Sequence, residues 1–133
     1  TATEIQVRYA ETDQMGHAYY ANYLVWLEVA RTQWCRDHGF TYLSLEQSGF
    51  FLPVVEANVR YRHEIRYDDV IVIEARMTEM KRSSMKFEYR LLRGETLCAE
   101  GFTWHVLMGS NRKAVTIPDD LRTKMQVETP ESS

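Results

Sequence analysis

The chain has 133 residues, 44% hydrophobic and 26% charged; these proportions exclude a disordered or fibrous chain, and the length suits one domain spanning 1–133. A net charge of −3 gives no global attraction to a polyanion, so nucleic acid is not expected as a partner. The longest unbroken apolar run, Tyr23 to Leu27, falls far short of the roughly 18 residues of a membrane span, and the charged N-terminal region shows no export signal.

Ile5, Val7 and Tyr9 alternate with Gln6 and Arg8, the period of a first strand over 5–9. From Tyr19 the period changes. Tyr23, Trp26, Leu27, Ala30 and Trp34 recur at helical spacing and Gly39 stands where a C-cap is wanted, which predicts a helix near 20–38. Between Tyr23 and Ala30 that helix is apolar on nearly every side, so its first turns should be surrounded by protein. Beyond Phe51 the pattern is β. Val70–Ile73 is a β-branched run; Met85, Phe87, Tyr89 and Leu91 alternate with Lys86, Glu88 and Arg90; Cys98, Phe102, Trp104, Val106 and Met108 mark one face of a further strand. Turn signals at Tyr67-Asp68-Asp69, Arg82-Ser83-Ser84, Arg93-Gly94-Glu95 and Gly109-Ser110-Asn111 separate these runs. Connections this short force antiparallel pairing. After Pro118 no strong pattern is visible, so about 119–133 reads as a C-terminal tail, frayed over Thr129–Ser133.

A helix of about 18 residues is roughly 27 Å long, while a compact chain of this size has a radius of gyration near ~14 Å. The helix must cross the whole domain. The expected fold is therefore α+β, an antiparallel sheet of five or six strands wrapped around one long central helix. Such a sheet leaves a face and an edge uncovered, which predicts a homodimer or homotetramer. Cys35 and Cys98 lie far apart with no CxxC spacing, which suits a reducing, cytoplasmic compartment.

The segment Tyr9-Ala10-Glu11-Thr12-Asp13-Gln14-Met15-Gly16-His17-Ala18-Tyr19-Tyr20-Ala21-Asn22-Tyr23 joins the first strand to the helix. Asp13, on a loop between two rigid elements, suits a nucleophile or general base, and equally an Asx-turn or helix cap. The helix start near Tyr20 presents unpaired N–H groups and the positive end of the dipole. Gly16 lets the loop backbone turn sharply. The stretch from Arg8 through Arg31 resembles the signature of the 4-hydroxybenzoyl-CoA thioesterase family of hotdog-fold acyl-CoA thioesterases, and the element order agrees over roughly 3–115. The resemblance implies a hotdog fold and hydrolysis of acyl-CoA, with neither metal nor redox cofactor. It implies that Asp13 is the catalytic carboxylate and that the N–H of Tyr20 polarises the thioester carbonyl. Many members carry histidine where this chain has Tyr20, which leaves an imidazole-assisted step without its residue.

His17, four positions after Asp13, could orient that carboxylate or touch substrate, or be a bystander. Glu28 and Arg31, at i and i+3, read first as a structural ion pair, with Glu28 as the second choice for a catalytic carboxylate. Coenzyme A brings phosphates, for which Arg60, Arg62, Arg82 and Ser83 are candidates, although alternating charge on a solvated strand would look the same. His63-Glu64-Ile65-Arg66-Tyr67 lacks the second histidine of a zinc motif, and neither a GxSxG elbow nor a phosphate-binding glycine loop occurs. No metal site is expected. The alternatives to acyl-CoA hydrolysis are a non-catalytic acyl-thioester binding module, an acyl-carrier-protein thioesterase, and hydration of an enoyl thioester.

Overall fold

The structure, a computed structural model, describes residues 1–13 and 15–125. Strand β1 (Ala2–Gln6) leads through a 3-10 turn (Tyr9–Glu11) and a loop into helix α1 (Ala21–Asp37), followed by the short helix α2 (Tyr42–Gln47). Strands β2 (Val54–Tyr61), β3 (Val70–Met80), β4 (Ser84–Arg93) and β5 (Thr96–Val106) come next, and a short helix α3 (Asp119–Lys124) follows. All pairings are antiparallel, in the order β1-β3-β4-β5-β2. Among the described residues no helix is long and apolar enough to cross a membrane.

The predicted helix forms with one continuous stripe of residues turned into the core. Tyr23, Trp26, Leu27, Ala30, Arg31, Trp34 and Cys35 are buried at alternating spacings of three and one. All but Arg31 share one core with Ile71, Ile73, Ala75 and Met77 of β3 and Met85, Phe87, Tyr89 and Leu91 of β4. Trp34 packs edge-on against Phe87 with ring centroids 5.0 Å apart, an arrangement that adds to plain area burial. The expectation that the first turns are enclosed does not hold. Leu24, Val25 and Val29 are 50, 48 and 42% exposed, because a sheet can cover only one side of a cylinder.

Three further expectations need correction. The first strand stops at Gln6: Val7 is buried, but the chain then tightens into the 3-10 turn and Tyr9 is 78% exposed. Along β5 and just past its end the core-facing set is Thr103, His105 and Leu107, whereas Phe102, Trp104 and Val106 lie on the opposite face and Cys98, expected to share that face, is buried. A bulge causes this. Leu91 pairs with Ala99 and Leu92 with Leu97, so Cys98 is skipped and the parity of every later residue inverts. The outer aromatics are covered by lysines instead, Lys86 over Phe102 at 4.8 Å and Lys81 over Trp104 at 4.9 Å. Third, the presumed tail begins with α3, whose Leu121, followed one turn on by Met125, seals the core; two apolar residues one turn apart are too few to show a period. Thr129–Ser133 lies outside the described residues.

The inverted parity puts His105 in the core, where Nε2 lies 2.9 Å from Thr103 Oγ1 and Nδ1 3.2 Å from the Leu52 carbonyl oxygen. Burial, helped by the charge of Arg31, pushes its pKa from 6.5 down to about 4. The unfolded chain therefore takes up this proton at a higher pH than the folded one. Stability should be complete above about pH 6.5 and fall by about 3 kcal/mol as the pH drops to about 4. Urea unfolding across that window should show the slope, and His105→Gln should remove this component.

Candidate functional site

The loop between the 3-10 turn and α1 is held by one buried carboxylate. Glu11 Oε2 accepts 2.7 Å from Trp26 Nε1 inside the core, and Oε1 accepts 2.8 Å from the backbone N–H of Arg8. The carbonyl of Glu11 accepts from Asn22 Nδ2 at 2.9 Å and from the Tyr19 N–H at 2.8 Å. One residue thus ties strand end, loop and helix start together. Burial pushes the Glu11 pKa up, but the N–H donors of Arg8 and Trp26 outweigh it and hold it below the ordinary value.

Asp13 stands two residues further on, exposed. Its Oδ1 accepts from the N–H groups of Met15 (2.9 Å) and His17 (3.1 Å), and its own N–H donates to the His17 carbonyl at 2.8 Å. The Asx-turn reading is therefore realised. It does not consume the side chain, because Oδ2 accepts no hydrogen bond among the described residues. Gly16 has φ +79°, the left-handed region, and a Cβ there would meet nothing within 4 Å. Glycine is required by conformation rather than by a close neighbour.

The other side of the loop is stitched to the segment before β3. Ala18 N–H donates to the Ile65 carbonyl at 2.7 Å and Tyr67 N–H to the Gly16 carbonyl at 3.2 Å. His17 Nε2 lies 2.6 Å from Glu64 Oε2, whose other oxygen accepts from Arg66 at 2.6 Å. The side chain of His17 is thus engaged by Glu64, and it is its backbone that holds Asp13. At the start of α1, Tyr20 already has helical backbone angles (φ −57°, ψ −30°) with no side-chain cap, and the N–H groups of Tyr20 and Ala21 carry no hydrogen bond among the described residues. The structure therefore gathers a carboxylate with a free oxygen and a bare helix N-terminus at the two ends of one locked loop, seven residues apart.

The basic candidates divide. Arg60 and Arg62 lie at the end of β2 that leads into Glu64, with Arg62 Nε 3.2 Å from Glu100 Oε2. Arg66 and Arg93 join them at this end; Arg93 Nη1 donates to the Glu64 carbonyl (2.9 Å) and to Asp69 Oδ2 (3.0 Å). Arg82 and Ser83 sit in the hairpin after β3, whose 11 residues span roughly 35 Å at ~3.3 Å each. They are at the opposite end of the sheet from Asp13 in the same chain, where Arg82 Nε donates to Thr116 Oγ1. The expected pairing of Glu28 with Arg31 is absent. Arg31 is buried and donates instead to Tyr42 Oη (2.7 Å) and Tyr89 Oη (3.1 Å), while Glu28 is exposed. Among the described residues no cluster of three or more His, Cys, Asp or Glu side chains is placed to hold a metal ion. Sequence reasoning missed Glu11, Glu64, Arg31 and His105 as organisers. Only the Ala-Asn-Tyr triplet, whose Asn22 grips Glu11, gave a signal.

The model of the thioesterase-like superfamily matches residues 7–125. The chain is similar to YneP of Bacillus subtilis, provisionally named an acyl-CoA thioesterase, at 51% identity over 70 residues, 53% of this chain and 51% of that protein. That match spans about half of the relative's length. It is similar to the acyl-CoA thioester hydrolase YbgC of Escherichia coli O6:H1 at 32% identity over 91 residues, 68% of each chain. Among solved structures, a DHNA-CoA thioesterase from Staphylococcus aureus superposes with a TM-score of 0.83 at 31% identity, covering 87% of this chain and 79% of that one. The sheet wrapped around α1 is the hotdog fold.

The Glu11 clamp can be tested by itself. Glu11→Ala leaves the Trp26 and Arg8 N–H groups unpaired and should lower unfolding free energy by about 1–3 kcal/mol, read by urea denaturation; Glu11→Gln keeps an acceptor and should lose less. Because the folded value lies below 4.5, the ionised form is the one the fold favours. Its contribution should be whole above about pH 4.5 and be lost as the pH falls through the lower folded value, a loss absent from Glu11→Gln.

Proposed function

The chain belongs to the thioesterase-like superfamily, and from that membership we propose that it hydrolyses acyl-CoA to free acid and coenzyme A at the Asp13 loop. The observation that carries the reading is the free Oδ2 of Asp13 on a loop whose far end is a helix start with unpaired N–H groups. Acyl transfer needs these two parts: an oxygen to attack or to activate water, and donors aimed where negative charge develops on the carbonyl oxygen. The thioester oxygen accepts from the Tyr20 N–H, with the helix dipole aligned to favour it. In the nucleophilic route Asp13 Oδ2 forms a C–O bond to the carbonyl carbon and the C–S bond breaks, releasing the coenzyme A thiolate. Water then cleaves the mixed anhydride and restores the carboxylate. In the general-base route Oδ2 takes a proton from water, which attacks the carbon directly; the C–S bond then breaks, and the departing thiolate takes the proton and restores the carboxylate. Gly16 gives the loop its turn, and His17 holds Asp13 through its N–H.

Arg60 and Arg62, with Arg66, supply positive charge at this end of the sheet for the phosphates of coenzyme A. Arg82 and Ser83 can join them only from a second copy. A homodimer or homotetramer would cover Leu24, Val25 and Val29 of α1 and the exposed Val54 and Val55 of the edge strand β2. The two cysteines are free and buried, which suits a cytoplasmic setting.

Asp13→Asn should reduce hydrolysis of an acyl-CoA panel by at least about 10²-fold, with an unchanged circular dichroism spectrum and melting curve. Turnover equal to that of the parent would remove Asp13 from the chemistry. Single turnover in ¹⁸O water tests for the anhydride: label in the Asp13 side chain establishes it when water opens the Asp13 carboxyl carbon, whereas opening at the acyl carbon puts the label in the product acid as the general-base route does. Acyl-carrier-protein thioesters run beside the acyl-CoA panel identify the carrier.

A further inference from the structure

Beside the middle of α1 lies a cleft of about 850 Å³, walled by α2, the Phe50–Val54 segment and Met108. Tyr42, Leu45, Phe50 and Leu52 make it largely apolar, and the buried Arg31 lines it. This guanidinium is the anomaly. Its Nε donates to Tyr42 Oη and its Nη1 to Tyr89 Oη, while Nη2 has no hydrogen bond among the described residues. Among the described residues no carboxylate pairs with it there; Glu28 and Glu46 line the cleft as exposed residues, balanced by the exposed Arg112. His105, close enough to feel the charge, is held neutral. Arginine does not deprotonate in proteins, so the cleft carries one buried positive charge that, among the described residues, is met by phenol oxygens alone. Leaving a buried charge uncompensated is among the more costly arrangements a fold can hold.

We propose that this cleft binds a carboxylate carried on an apolar body, with the carboxylate on Arg31 and the body against Leu45, Phe50 and Leu52. Two sources share that chemistry: a free carboxylic acid, and the far end of an ω-carboxyacyl thioester. The cleft is distinct in sequence from the Asp13 loop, and binding of a free acid requires no hydrolysis, so the two assignments stand or fall separately.

Calorimetric titration of the full chain with hexanoate and with neutral hexanamide supplies the first arm. Adipoyl-CoA against its ω-monoamide, in the Asp13→Asn background to prevent turnover, supplies the second. In at least one arm the acid should bind about 10- to 100-fold more tightly than the amide, as expected for a hydrogen bond to a charged group. Arg31→Met should abolish that preference and Arg31→Lys should keep most of it. The arm that shows the preference identifies the source. Equal affinity of acid and amide in both arms, or a preference that survives in Arg31→Met, overturns the proposal. Should Arg31→Met not fold, as judged by its melting curve, the acid-to-amide ratios of the parent and of Arg31→Lys decide alone.

Discussion

The bond from Trp26 Nε1 to the Glu11 carboxylate is the constraint on which the site depends. A loop of this length between a strand end and a helix has many conformations, and fixing each residue costs about 1–2 kcal/mol of backbone entropy. Glu11 meets much of that cost with bonds that only one conformation can make. Its side chain anchors into the core through α1, while its carbonyl holds both Asn22 and the Tyr19 N–H. Asp13 and the start of α1 are then placed relative to each other by the packing of Trp26, itself 2% exposed. In the proposed reaction, preorganisation of this kind would let the carbonyl oxygen gain charge without the site having to reorganise.

The core shows a second device of the same sort. A bulge at Cys98 turns polar Thr103 and His105 inward, where an apolar sheet face would have been simpler. The chain resolves this with a connected set: Tyr89 Oη lies 2.7 Å from Thr103 Oγ1, Thr103 meets His105, and Tyr89 also accepts from Arg31. Each member satisfies another, as buried polar groups must. The set ends at Arg31, where the positive charge meets phenols instead of a carboxylate. The Trp26 and Arg31 contacts thus divide α1 into a first part that serves the Asp13 loop and a second that lines the cleft.

The exposed apolar residues of α1 and the free edge of β2 are surfaces that the proposed second copy would cover. The single sheet of five strands among the described residues leaves one side of α1 open, and the basic residues proposed for the phosphates lie at both ends of β3. Two copies related by symmetry would bring opposite ends of the sheet together, which is the simplest way for both sets to serve one site.

Periodicity and turn signals by themselves determined α1, the strands β3, β4 and β5 and their antiparallel hairpins, because spacings of 3.6 and 2 and short connections are local properties; α2, α3, β2 and the end of β1 were not legible. That a carboxylate, a glycine and a helix start follow one another from Asp13 to Tyr20 was likewise legible, since all three are local features, whereas their reading as one site came from the family resemblance. What the sequence could not reveal was contact between distant residues. The parity of β5 depended on a bulge opposite β4, and the apolar look of Phe102 and Trp104 pointed to the wrong face. Arg31 looked like half of an ion pair because Glu28 is three residues away, yet its partners are 11 and 58 positions distant. Glu11 looked like one more loop acid. Only tertiary packing decided that it is buried against Trp26, because the free energy that makes a buried carboxylate tolerable comes from donors that the fold, and not the neighbouring sequence, brings to it.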